Sequence, residues 1–227
     1  YANMVKRNFG GRSVQLVTSY RRLDELALKL EKFSYRVLKE DCLDLPPKVF
    51  TTRTVELSEE QHKMYVTMKK AAIAEHEGKI MSSMSALTTL LRLHQITCGT
   101  FKADDGTITH LENNRIAALM QCLEETEDKV IIWANYREDI KKIVEALKKA
   151  YGDDSTVEYW GDVDSTLRQE NIALFQQKNS PTRYFVGNAQ TGGYGITLTA
   201  ANTVIYYSNN YDLEKRLQSE DRAHRIG

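Results

Sequence analysis

The sequence predicts an α/β fold, a parallel β-sheet flanked by helices and preceded by a mainly helical region. Two patterns carry the prediction. In the second half, short apolar runs at residues 129–134, 157–160, 183–187 and 203–207 alternate with stretches of helical periodicity, as βαβ units require. The first half instead shows leucines at helical spacing and a Ser58-Glu59-Glu60-Gln61 capping box, both of which are helix signals.

Taken in chain order, Leu23, Leu26 and Leu30 recur at helical intervals and are followed by Phe33 and Val37, so a helix is expected there. Pro46-Pro47 breaks it, because proline has no N–H to give the helix. Residues 48–57, rich in Val, Phe and Thr, predict a strand. The capping box starts a helix with Tyr65, Met68 and Ala72 on one face. Met84, Leu87, Leu91 and His94 form the stripe of another over residues 83–97. Residues 114–125 are amphipathic through Ile116, Leu119, Met120 and Leu123. The run at 129–134 lacks polar alternation, as expected of a strand buried on both faces. A helix follows it through Ile140, Ile143, Val144 and Leu147. Another follows the strand at 157–160, through Leu167, Ile172 and Phe175. A glycine loop separates the last two strands, and a final helix starts near Leu213. In such sheets ligands gather at the carboxyl ends of the strands, here the loops at 135–137, 161–162 and 188–195.

With 227 residues, 41% hydrophobic and 27% charged, the composition is that of a globular protein. No apolar run approaches a membrane span, so no membrane partner is expected. Cys42, Cys98 and Cys122 are odd in number and far apart, which suits a reducing compartment. Lys+Arg and Asp+Glu balance at 31 each, so composition does not announce a nucleic-acid binder. The first 40 residues are nonetheless basic and could track phosphates; a solvated helical surface is the plainer reading.

Arg222 and Arg225, three apart in a segment that begins helical and ends at Gly227, could share one face of a helix end. Arginine suits phosphoryl charge because its planar fork stays charged and donates two parallel hydrogen bonds. Gly192, Gly193 and Gly195 permit positive φ and close approach to a phosphate; a tight strand-to-helix turn explains them equally well. No segment fits a Walker A sequence, and no buried strand ends in an acidic pair for Mg²⁺, so nucleotide hydrolysis by this chain unaided is not expected. His94 and Cys98 are spaced i, i+4, but no second pair completes a metal site; a buried helix face is expected, and no metal. Trp133 and Trp160 close strands and are expected to pack there.

In order, these pieces resemble the Swi/Snf-type family of helicase superfamily two, over nearly the whole chain. Residues 36–48 are similar to the family's linker signature, 57–65 to the start of its helical protrusion, and 91–98 to a later protrusion helix. Residues 129–136 resemble motif IV, 161–175 the adjoining Gly, Arg and Phe segment, 188–201 motif V, and 218–227 motif VI. The spacing Gln218-x-x-x-Arg222-x-His224-Arg225-x-Gly227 is the most specific of these matches.

The resemblance implies the C-terminal RecA-like lobe of a double-stranded-DNA translocase or chromatin remodeller, a DNA-dependent ATPase. Residues 1–50 are then the linker to a first lobe expected elsewhere in a longer protein. Residues 51–115 are the protrusion and the strand leading into lobe two, and 116–227 the lobe itself. ATP and Mg²⁺ are implied as cofactors, gripped mainly by the first lobe. Arg225 and Arg222 are implied as arginine fingers, Gln218 as their positioning partner, and Gly192, Gly193 and Gly195 as coupling residues. Asn135, Arg168, Asn188 and Gln190 are candidate DNA contacts. The chain departs from the family at Asn188-Ala189-Gln190, at Thr197 and at Tyr211-Asp212-Leu213, where the details of DNA contact are at stake. A strand-separating helicase, a restriction-type translocase and a non-catalytic scaffolding lobe stay open as alternatives. The implied partners are duplex DNA and the first lobe, with the protein a monomer. Its place is the cytoplasm or nucleoid in a bacterium or virus, and the nucleus in a eukaryote.

Overall fold

The computed structural model describes residues 1–9, 12–35, 37, 39–78, 83–103, 105–192 and 195–225. It divides into two compact units, Tyr1–Leu45 and Pro46–Gly227.

The first unit corrects the expectation of a mainly helical start. Strands β1 (Ala2–Phe9) and β2 (Arg12–Tyr20) pair antiparallel, with Phe9 opposite Arg12 and Ala2 opposite Tyr20. The overlooked signal is Gly10-Gly11 between two short segments that carry Val5 on one side and Val14, Val17 and Thr18 on the other, a two-residue hairpin pattern masked by interspersed basic and polar residues. Helix α1 (Leu23–Leu30) forms over the expected leucines but ends before Phe33 and Val37, and a short α2 covers Lys39–Cys42. Among the described residues of this unit none is buried. Met4, Val5, Leu16 and Val17 on the hairpin, and Leu30, Phe33 and Val37 beyond it, are exposed.

In the second unit, residues 48–57 form no strand. Val49 and Phe50 stand in solvent, and among the described residues no strand pairs with this segment. Strand-forming residue types need a partner edge, which local sequence cannot supply. The segment is tied down by side chains instead: Asn114 donates to the Glu56 carbonyl at 3.1 Å, and Arg53 pairs with Glu125.

Helix α3 (Glu59–Gly78) starts at the expected capping box. The Ser58 N–H donates to Gln61 Oε1 at 3.0 Å, and the Gln61 N–H donates to Ser58 Oγ at 3.2 Å. Helix α4 (Ser83–Thr97) packs on α3, but its expected stripe is displaced, for Leu87 and Leu91 are exposed. The burial falls at the helix end instead, on Ile96 and Cys98. A small hairpin not foreseen from the sequence follows, β3 (Thr100–Lys102) with β4 (Ile108–His110).

The remainder matches the predicted alternation. Helix α5 (Arg115–Glu124), strand β5 (Lys129–Trp133), helix α6 (Arg137–Tyr151), strand β6 (Thr156–Tyr159), helix α7 (Ser165–Gln176) and strand β7 (Tyr184–Gly187) follow in turn. A short α8 (Ala189–Gly192), strand β8 (Ala201–Tyr206) and helix α9 (Leu213–Glu220) complete the unit. The four strands form one parallel sheet in the order β6-β7-β5-β8.

Central β5 is buried on both faces, which explains its unbroken apolar sequence. Val130 and Ile132 pack beneath α5 and α6 with Leu123, Ile143 and Leu147; Ile131 and Trp133 pack on the other face with Phe175, Phe185 and Leu198. Trp133 and Trp160 are core residues, as expected. The turn chemistry is local. Asp164 accepts from the Thr166 N–H at 2.8 Å and Asp212 from the Lys215 N–H at 3.2 Å, starting α7 and α9. Gly187 is set by close packing, since a Cβ there would lie 2.5 Å from the Tyr159 carbonyl oxygen.

Candidate functional site

The parallel sheet brings four loops to one edge, after β5, β6, β7 and β8. Asn135 sits at the centre of them. Its N–H donates to Ser208 Oγ at 2.8 Å, and its carbonyl accepts from Asn188 Nδ2 at 3.0 Å. The loops after β5, β7 and β8 are thereby joined through one residue. Asn188 also accepts from the Gln190 N–H at 2.8 Å and so starts α8.

Asn135, Asn188 and Gln190, three of the four candidate DNA contacts, line one cavity of about 260 Å³ with Arg137, Ile140, Trp160, Gly161 and Thr191. Arg137 pairs with Asp162 at 3.0 Å beside it. Arg168 lies elsewhere: its guanidinium sits 5.8 Å from the centroid of the Tyr159 ring. Gly192 ends α8, Gly195 has the positive φ expected of it (72°), and Gly193 lies outside the described residues.

Beneath Asn135 lies a polar group that sequence reading passed over. Asp139, in the first turn of α6, is 1% exposed and accepts from Ser208 Oγ at 3.3 Å. Burial pushes its carboxyl up to about 7, against the pull of Arg115, Ser208, Lys142 and Cys98. Arg115 donates to the Tyr207 carbonyl at 2.5 Å, and the Tyr136 hydroxyl bonds His94 Nδ1 at 2.8 Å. Burial also draws the His94 pKa down and pushes the Cys98 thiol up to about 12. These partners tie α4 to the strand-end loops. Among the described residues no group of His, Cys, Asp or Glu is placed to hold a metal ion, and no helix is long and apolar enough to cross a membrane.

The two arginines separate. Helix α9 ends at Glu220, so both lie in the turns beyond it rather than on one helix face. Arg222 is 7% exposed and donates through Nη1 to the Ile196 carbonyl at 3.2 Å, while its own carbonyl accepts from the Leu198 N–H at 2.9 Å. Arg225 is exposed. Burial, then the nearby Arg225 charge, draws the Arg222 pKa down. Gln218 donates to Glu214 Oε1 at 2.8 Å, and its own Oε1 is buried without a hydrogen-bond partner among the described residues.

Comparison with known proteins agrees with this architecture. The profile of the helicase conserved C-terminal domain matches residues 114–227, and that of the SNF2-related domain matches residues 2–102. An uncharacterized ATP-dependent helicase of Mycoplasma genitalium is 29% identical over 237 residues, covering 99% of this chain and 22% of its own length. The chain thus spans about a fifth of that relative. The Sulfolobus solfataricus SWI2/SNF2 ATPase core domain superposes with a TM-score of 0.65 at 24% identity, over 89% of this chain and 44% of that one. The same core in complex with double-stranded DNA gives 0.57 at 24% identity, over 76% and 36%. With the C-terminal profile over half its length and a parallel sheet of matching fold beneath it, the chain belongs to the helicase C-terminal domain family, as a SWI/SNF-type region of helicase superfamily two.

Proposed function

We propose that this chain is the second ATPase lobe of a double-stranded-DNA translocase or remodeller, with Arg225 as its arginine finger. The observation that carries the reading is the division of labour between the two arginines. Arg222 is spent inside the domain on the Ile196 carbonyl, whereas Arg225 emerges from the same turn into solvent. An exposed guanidinium on an anchored turn suits a phosphoryl oxygen delivered from outside the lobe. The described residues fit that part of ATP and lack a carboxylate cluster for its Mg²⁺, so the remaining grip is assigned to a first lobe. Bound ATP supplies the phosphoryl group; Arg225 contributes positive charge that stabilises the loose transition state. Asn135, Asn188 and Gln190 offer amide groups to duplex phosphates at the strand-end cavity. Residues 1–50 and 51–115 keep their proposed roles as linker and protrusion.

The test is Arg225→Ala in the intact motor. Turnover is expected to fall about 10³-fold with ATP binding retained, and Arg225→Lys is expected to rescue poorly, because an ammonium lacks the planar fork. In the 227-residue chain, Arg225→Ala is expected to leave thermal stability nearly unchanged, while Arg222→Ala lowers it by about 2 kcal/mol through a lost buried hydrogen bond and lost packing. Near-normal turnover of the Arg225→Ala motor sinks the finger assignment.

A further inference from the structure

The turn that presents Arg225 is poorly specified by its own backbone. The Arg222 N–H reaches the Ser219 carbonyl at 3.4 Å and the His224 N–H reaches the Glu220 carbonyl at 3.4 Å, while the Arg225 N–H reaches the Ala223 carbonyl at 3.0 Å. These are long or very local bonds. What holds the turn comes from far along the chain, on two sides. On one side, Arg222 is fastened to Ile196 and Leu198 in the segment after Gly195. On the other, the stretch after the proline pair reaches it: Lys48 Nζ donates to Asp221 Oδ1 at 2.9 Å and to Glu220 Oε2 at 3.4 Å. His224 Nε2 donates to the Pro46 carbonyl at 2.8 Å. The sequence separations are 172 to 178 residues.

We propose that Lys48 is a positioning residue for Arg225: with the Pro46 carbonyl it clamps residues 220–224 and so sets where the guanidinium emerges. The role rests on the finger reading above. Pro46-Pro47 suits the task, because two fixed φ angles deliver Lys48 and the Pro46 carbonyl at a defined place with little entropy to lose. The pair is also badly suited to a purely stabilising role. The shorter of the two Lys48 ion pairs is the more exposed: Lys48 and Asp221 keep 28% and 42% of their side-chain surface and Glu220 keeps 11%, and partly exposed ion pairs add little to folding. Catalytic placement is more demanding, since a displacement of about 1 Å can cost on the order of 10²-fold in rate. The clamp also joins the finger to the segment that the proposed function makes the linker between lobes. Movement of that linker is then felt at Arg225 directly.

The test is Lys48→Ala in the intact motor, set beside Lys48→Arg, Arg225→Ala and the Lys48→Ala/Arg225→Ala double variant. Lys48→Ala is expected to lower kcat about tenfold or more while KM for ATP stays within about twofold, because the finger is misplaced and the first lobe's grip is intact. Lys48→Arg keeps the charge and the donors and is expected to recover most of the loss. Removing Lys48 from the Arg225→Ala motor is expected to change nothing further, since a positioning residue has nothing left to position. Turnover of Lys48→Ala within twofold of the parent overturns the proposal. So does an equal, additive loss in the Arg225→Ala background, which marks a merely structural lysine. If Arg225→Ala alone turns over normally, the finger reading has failed and the Lys48 role falls with it; loss at Arg225 without loss at Lys48 rejects only the clamp.

Discussion

Asp139 carries a measurable consequence at the level of one side chain. Its carboxyl is buried among Ser208, Cys98, Arg115, Lys142, Tyr136 and Tyr207 and is pushed up to about 7. A folded-state value above the unfolded one means that the native protein holds this proton more tightly. The stabilisation is complete below the unfolded carboxylate range, near pH 4, and is lost as pH rises through about 7. Asp139→Asn removes that loss while keeping an acceptor for Ser208. The variant is expected to melt roughly 4 °C or more above the parent at pH 8, with the gap closing toward pH 5. Thermal melts across that range check it, and a constant gap would show that the carboxylate is fully compensated. His94, whose lowered pKa acts in the opposite sense, is common to both proteins and cancels. None of this was legible in the sequence, where Asp139 reads as an ordinary first-turn acid matched to the helix dipole. Arg225 was legible as a candidate because its motif is local, whereas the separation of Arg222 from it depends on Ile196, 26 residues away.

Among the elements, α3 was read correctly and α4 only in part. The start of α3 is a reciprocal pair of bonds between Ser58 and Gln61, and the same Gln61 amide donates to the Ile96 carbonyl at 2.7 Å. A cap signal is contained within four residues, so the sequence can show it. Which face of α4 is covered depends on what packs there, and periodicity alone put the core on Leu87 and Leu91, which are exposed. Gln61→Ala is expected to cost about 1–2 kcal/mol, combining a lost cap with a lost buried hydrogen bond to the Ile96 carbonyl, which keeps the Gly99 N–H at 3.0 Å. Leu87→Ala is expected to cost under about 0.5 kcal/mol. Urea unfolding of the 227-residue chain compares the two directly. Equal losses would mean that the α4 stripe is buried after all. The hairpin of β1 and β2 and the unpaired stretch 48–57 were misread for a related reason: a strand exists only where a second strand supplies its ladder.

At the scale of the molecule, two outcomes are expected of the 227-residue chain. Phosphate release from ATP should stay at background with or without duplex DNA, because no Walker sequence and no carboxylate cluster among the described residues grips Mg²⁺. Duplex binding should be weak, indifferent to sequence and steeply reduced by salt, as backbone phosphate contacts release counterions. DNA-stimulated turnover by the chain, or salt-independent binding, would count against the second-lobe reading. The hairpin also bears on this reading. Two strands with apolar side chains on both faces and, among the described residues, none buried are marginal alone, so under the proposed function a first lobe is expected to cover them.

The sequence by itself determined the parallel βαβ alternation, the buried strand at β5, the capping box that starts α3 and the family-bearing spacing from Gln218 to Gly227. Each of these is written in periodicity or in short-range chemistry, within a few residues of chain. Only the tertiary structure decided that Asn135 joins three loops, that Asp139 lies buried beneath them, and that Arg222 turns inward while Arg225 stays out. It also decided that Lys48 reaches Asp221 across the chain. Those features depend on pairings between residues tens to nearly two hundred positions apart, and the free energy of such a pairing is set by burial and geometry that no local pattern encodes.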